Sequence, residues 1–80
     1  MPRLRVLSAN EVIKVFKSFG FEVQDQTGSH IKMSRRTILQ KQILIVPNNK
    51  AIPKGTLHAL YKQASRYVPQ EQLQAFFYSE

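Results

Sequence analysis

The apolar residues of this chain recur with two periods, helical toward both ends and alternating in the middle. Val12, Ile13, Phe16 and Phe19 fall on one stripe of a 3.6-residue repeat. Ser8 and Glu11 stand at its front as an S-x-x-E capping box, and Gly20 follows where a helix C-terminus favours glycine. The spacing predicts a helix over about residues 9 to 19. Phe21 and Val23 then alternate with Glu22 and Gln24, the pattern of a half-buried strand, and Thr27-Gly28 closes it with a turn. In the next strand Ile31 and Met33 point one way while His30, Lys32 and Ser34 point the other. With the apolar pair against the core, His30 and Lys32 share the open face of the sheet; a one-residue slip would reverse this.

The segment RRTILQKQ is a basic connection whose Ile38 and Leu39 can extend either strand of a hairpin. A third strand, ILIV at 43 to 46, stops at Pro47, and the turn-rich loop NNKAIPKG follows. Pro53 suits the first turn of a second helix, whose core stripe is Leu57, Leu60, Tyr61 and Ala64. A last short helix begins near Pro69 and caps the core with Leu73, Phe76 and Phe77. The expected class is α+β: a three-stranded antiparallel meander with its helices on one face, the other face wet, and a short C-terminal helix.

Composition changes this picture mainly by exclusion. Eighty residues make one domain with a modest core. The absence of cysteine removes disulfides, thiolate zinc sites and cysteine nucleophiles. No apolar run approaches the roughly 20 residues of a membrane span, and MPRLR lacks the apolar segment of a signal peptide. The cytoplasm is the expected location, with no membrane partner.

Charge adds more. The acids are Glu11, Glu22, Asp25, Glu71 and Glu80, so no acid falls between Gln26 and Gln70, a stretch that carries Lys32, Arg35, Arg36, Lys41, Lys50, Lys54, Lys62 and Arg66. A middle of one sign predicts a polyanionic partner, and nucleic acid is the first candidate. Lys54, His58, Lys62 and Arg66 recur at i, i+4, i+8 and i+12, a basic stripe on the second helix. The first backbone N–H groups of that helix, near Lys54, Gly55 and Thr56, can also receive a phosphate.

Neither histidine sits in a metal-binding spacing, and no P-loop or nucleophile-elbow motif is present, so no cofactor or metal is expected. RNA cleavage remains within reach of these residues, because RNA brings its own nucleophile. A neutral imidazole, with an unperturbed pKa of about 6.5, can take the 2′-hydroxyl proton while cations steady the phosphate. His30 fits that role, and it equally fits a turn residue that packs beside Gly28. His58 is the second candidate for the base.

Helix one, then GFEVQDQTGSHIKM, then ILIVPNNKAIPKGTLHALYKQA, resembles the HicA toxins, the YcfA-like mRNA interferases. The resemblance covers about residues 8 to 66 of a single domain spanning 1–80, which leaves 67–80 as a C-terminal helical extension. It implies a double-stranded-RNA-binding-domain-like αβββα fold, a toxin that cleaves mRNA, and a HicB-type antitoxin as partner. It implies that the histidine after Gly-Ser, His30, is catalytic, with Gly28 and Ser29 shaping the approach to it. Lys32, Arg35, Arg36, Lys54, His58 and Lys62 are the expected RNA contacts. Where many family members carry a second histidine just after Val-Pro, this chain has Asn48 and Asn49. Two other readings stay open: a non-catalytic RNA-binding module of the same fold, and a subunit whose basic face meets an acidic protein. The extension can be a lid on the core, an antitoxin contact or a dimer surface.

Overall fold

The computed structural model describes residues 2–79. Its elements are β1 (Arg3–Leu4), α1 (Ala9–Ser18), β2 (Glu22–Thr27), β3 (His30–Arg36), β4 (Lys41–Pro47), α2 (Lys54–Ala64), α3 (Gln70–Phe77) and β5 (Tyr78–Ser79). β2, β3 and β4 form an antiparallel meander in that order. This is the expected αβββα body with a short C-terminal helix. The β1–β5 ribbon, which pairs Leu4 with Tyr78, was not legible in the sequence.

The ends of α1 follow from its sequence. The Glu11 backbone N–H donates to Ser8 Oγ at 3.1 Å, and the Ser8 N–H donates to Glu11 Oε1 at 2.9 Å, closing the capping box. At the other end Gly20 takes φ 95°, its N–H donates to the Lys17 carbonyl, and the Phe21 N–H donates to that of Phe16. That pair of bonds is a Schellman motif, and its apolar contact is the Phe16–Phe21 ring pair at 6.0 Å.

The donated bonds at the cap, first from the Ser8 backbone and then from its hydroxyl, hold the Glu11 carboxyl below its ordinary range. A carboxyl whose pKa is lowered on folding adds stability above its unfolded pKa and loses it as pH falls through the folded one. Wild type and Glu11→Gln should therefore melt furthest apart near neutral pH and converge in acid. A gap in melting temperature that stays constant down to roughly pH 2 would contradict this.

One core lies on one face of the sheet. Ile31 and Met33 of β3 and Leu44 and Val46 of β4 meet Val12 and Phe16 of α1, Leu57, Leu60, Tyr61 and Ala64 of α2, and Leu73 and Phe77 of α3. The extension is thus a lid, since Leu73 and Phe77 are fully buried. Three apolar expectations fail. Phe76 stays 38% exposed and meets Phe19 edge-on at 5.8 Å instead of entering the core. Val23 is exposed because the sheet contributes its core side chains from β3 and β4, leaving β2 as an uncovered edge. Ile38 and Leu39 extend neither strand. They form the fully exposed tip of the β3–β4 hairpin, in a turn pinned by the Thr37 N–H to the Gln40 carbonyl at 2.8 Å.

Candidate functional site

The β2–β3 turn positions the first candidate residue. Thr27 and His30 are directly paired, leaving Gly28 and Ser29 as a two-residue hairpin loop. Gly28 has φ 57° and Ser29 does not have positive φ, the pattern of a type II′ turn with glycine first. The glycine is needed for its backbone, since a Cβ there would meet nothing within 4 Å. On the far side, the Asn48 N–H donates to the Ser29 carbonyl at 2.7 Å, prolonging the β3–β4 ladder past Pro47. Asn48, which with Asn49 directly follows Val46-Pro47, therefore abuts the turn that carries His30.

His30 is exposed on the open face, as period two requires once Ile31 and Met33 are buried. Register gives the surroundings. One row across the face is Thr27, His30, Pro47; the next is Asp25, Lys32, Ile45; the third is Glu22, Ser34, Ile43. Lys32 thus neighbours His30, as expected. Asp25 was not expected there. The two-residue turn sets it: with Thr27 opposite His30, Asp25 falls opposite Lys32 and diagonal to His30, and a bulge at Gln24 then returns Val23 to the core side, opposite Met33. Diagonal neighbours on a sheet face lie roughly 7–8 Å apart. The tight turn therefore brings an acid from β2 onto the face that carries His30.

The other expected RNA contacts divide. Arg36 is exposed opposite Lys41 at the far end of β3, roughly 20 Å of strand from His30. Arg35 is not on that face. It shares the parity of Ile31 and Met33, and its guanidinium is half-buried: Nε donates to Gln42 Oε1 at 2.8 Å, Nη1 to the Phe19 carbonyl at 2.8 Å and Nη2 to the Tyr67 carbonyl at 2.9 Å. Its Cζ stands 4.7 Å from the Phe21 ring centroid. The expectation that Arg35 contacts phosphate is corrected: all three of its nitrogens are engaged within the fold. Gln42, buried on the same side of the sheet, exists to accept from it.

The basic stripe of α2 also divides, for a geometric reason. Each i+4 step overshoots a turn by roughly 40°, so three steps wind roughly 120° around the helix. Lys54 and His58, with Gly55, line a depression of about 840 Å³ against Arg3, Leu4 and Tyr78. Lys62 and Arg66 instead line a groove of about 440 Å³ between α2 and β4, with Thr56, Ala59, Leu60 and Gln63 on the helix and Ile45 and Pro47 on the strand. His58 does not line that groove but faces the neighbouring depression, and its ring stacks near Tyr61, with centroids 6.5 Å apart. The first turn of α2 has no acid and no side-chain cap, so its leading N–H groups stay available to an anion.

Among the described residues no group of three or more histidine, cysteine or acidic side chains converges as a metal cage would require. No helix among them is long and apolar enough to cross a membrane. The arrangement offers an exposed imidazole on a sheet face, one lysine beside it, an acid on one flank, and a half-apolar, half-basic groove on the other.

Comparison with known families gives a match over most of the chain. The model described as "HicA toxin of bacterial toxin-antitoxin" matches residues 9–65. No curated protein and no solved structure matches the chain.

Proposed function

The chain belongs to the HicA toxin family of bacterial toxin-antitoxin systems, and on that premise we propose that it is a metal-independent endoribonuclease that cuts mRNA, with His30 as its proton-transfer group. The single observation that carries this reading is the placement of His30: exposed, at the mouth of a glycine-first turn, on the face of the sheet that the helices leave open.

The chemistry is a transesterification. The His30 imidazole takes the proton of a ribose 2′-hydroxyl, and that oxygen bonds to the adjacent phosphorus as the bond to the 5′-oxygen breaks. A proton from imidazolium or water completes the leaving 5′-hydroxyl, and the other product ends in a 2′,3′-cyclic phosphate. Lys32, in the next row, is placed to steady the charge on the phosphoryl oxygens. Gly28 and Ser29, as the tight turn just before it, leave the approach to the imidazole open at that end of the sheet. Lys62, on the rim of the groove beside β4, is a near phosphate contact; Lys54 and the open N-terminus of α2 are more distant ones, and Arg36 and His58 are peripheral. The cognate partner of such a toxin is an antitoxin; we assign it the HicB type, which would cover the His30 face.

The test is incubation of the purified protein with mixed RNA in excess chelator. Cleavage should persist, and end analysis should find cyclic phosphate or 3′-phosphate. Cleavage that stops with chelator and returns with a divalent cation would replace the imidazole mechanism by a metal-activated one. RNA binding without any cleavage would make the protein an RNA-binding module.

A further inference from the structure

The groove between β4 and α2 begins where the His30 row ends. His30 is the direct cross-strand partner of Pro47, and Lys32 that of Ile45; Pro47 and Ile45 are the strand wall of the groove. Paired residues on a sheet face are separated by about 5 Å, so a chain lying over His30 enters the groove within one residue's width.

Its lining has the two characters of a nucleotide. Ile45, Pro47, Ala59 and Leu60 give an apolar seat, while Lys62 and Arg66 supply exposed cations on the helix rim. Thr56 and Gln63 add hydrogen-bonding groups, and no acid among the described residues lines the groove. The opposite flank of His30 differs. There the β2 edge presents Asp25 and Glu22 on the same face, and both repel phosphate. The field across the site therefore has a direction, unfavourable toward β2 and favourable toward α2.

We infer that the β4–α2 groove is the subsite for a nucleotide adjoining the scissile phosphate, and that it takes single-stranded RNA, with the base on Ile45 and Pro47 and the backbone on Lys62 and Arg66. This rests on the nuclease reading of His30. A volume of about 440 Å³ lies at the small end of ligand sites and suits one nucleotide. A paired base cannot enter it, because an A-form duplex offers proteins its backbone and a shallow groove while its bases stay stacked inside. The winding of the basic stripe serves this arrangement: it turns Lys62 and Arg66 toward β4 and leaves Lys54 and His58 to other contacts.

The experiment separates the groove from the chemistry by measuring binding and cleavage independently. The probes are a mixed-sequence single-stranded RNA octamer and the duplex of the same sequence. The proteins are wild type, Ala59→Trp and the double variant Lys62→Ala/Arg66→Ala, with melting followed for each. Ala59, Lys62 and Arg66 are all exposed, so the substitutions leave the core untouched. Binding is read in the His30→Ala background so that the octamer stays whole. Ala59→Trp should weaken octamer binding on the order of tenfold by filling the seat of one base. The double variant should flatten the slope of log affinity against log salt by about 1.4, since each single-strand phosphate contact contributes about 0.7. Both variants should cleave more slowly in the wild-type background.

Octamer binding unchanged in both variants overturns the groove, whether or not the wild type cleaves. Preference for the duplex over the octamer overturns the single-strand assignment. Groove-dependent binding by a wild type that never cleaves supports the groove as an RNA site and instead removes the nuclease reading.

Discussion

His30→Ala should lower RNA cleavage by about 10²- to 10⁴-fold, the range that a positioned acid–base group supplies. The protein should fold as before and bind RNA within a few-fold of wild type. The physical reason for the separation is exposure: His30 sits at the first residue of β3 with its side chain on the open face, and the core beneath is built from Ile31, Met33, Leu44 and Val46. Trimming an exposed side chain away from caps and special backbone normally changes stability by within about 0.5 kcal/mol. The special backbone of this turn is at Gly28, two residues earlier, and the substitution does not touch it. His58→Ala is the matched control. It removes the other histidine of the chain from a separate depression, beside Arg3, Leu4 and Tyr78, and should leave cleavage within a few-fold. Equal losses from the two substitutions would mean that imidazoles act here as phosphate contacts, and an unchanged rate in His30→Ala would remove the mechanism.

The part of this site that the sequence revealed is the part controlled by period alone. Ile31 and Met33 set the face of β3, so the position of His30 and Lys32 follows from two apolar residues. The helix stripes were equally plain, because Val12, Phe16, Leu57, Leu60 and Ala64 have no polar competitor at their positions. What escaped depended on one extra residue or on angle. The bulge at Gln24 has no distinctive side chain to announce it, yet it is what lets Val23 and Asp25 take opposite faces of β2. The stripe from Lys54 to Arg66 is regular in sequence, and only its accumulated rotation shows that it serves two different depressions. The short ribbon of Arg3–Leu4 with Tyr78–Ser79 joins the two ends of the described chain, and a two-residue strand leaves no period to read.

Arg35 carries two signals that disagree. Its parity with Ile31 and Met33 puts it on the buried face, but in a run of basic residues its charge was the louder signal. Gln42 carries the same information, having the parity of Leu44 and Val46. A charged side chain at a core parity, opposite a polar one at a core parity, is the pattern of an internal clamp.

That clamp yields the second large effect. Arg35→Ala should destabilise the fold by about 3 kcal/mol, because it removes charge-assisted bonds and leaves Gln42 Oε1 and the Phe19 and Tyr67 carbonyls to find other donors. Two of those acceptors lie just past the C-terminal ends of α1 and α2, where unsatisfied carbonyls and the helix dipoles both favour a cation. The guanidinium therefore joins β4, the end of α1 and the segment after α2 at one point, with the Phe21 ring against its face. For a chain of this length the whole stability is about 4–12 kcal/mol, so the loss is a large share of it. The melting temperature should fall by roughly 12–24 °C. Arg35→Lys should recover only part of this, since a single ammonium cannot span three acceptors set around a planar fork or stack on Phe21. Gly20 belongs to the same joint: a Cβ there would stand 3.3 Å from Arg35 Cδ, in a backbone already at φ 95°. Thermal melts followed by circular dichroism, paired with RNA binding measured well below the transition, distinguish the clamp from a phosphate contact. The clamp predicts a lowered melting temperature with an unchanged salt slope for binding. A melting temperature held within a few degrees, together with a salt slope reduced by about 0.7, would return Arg35 to the RNA.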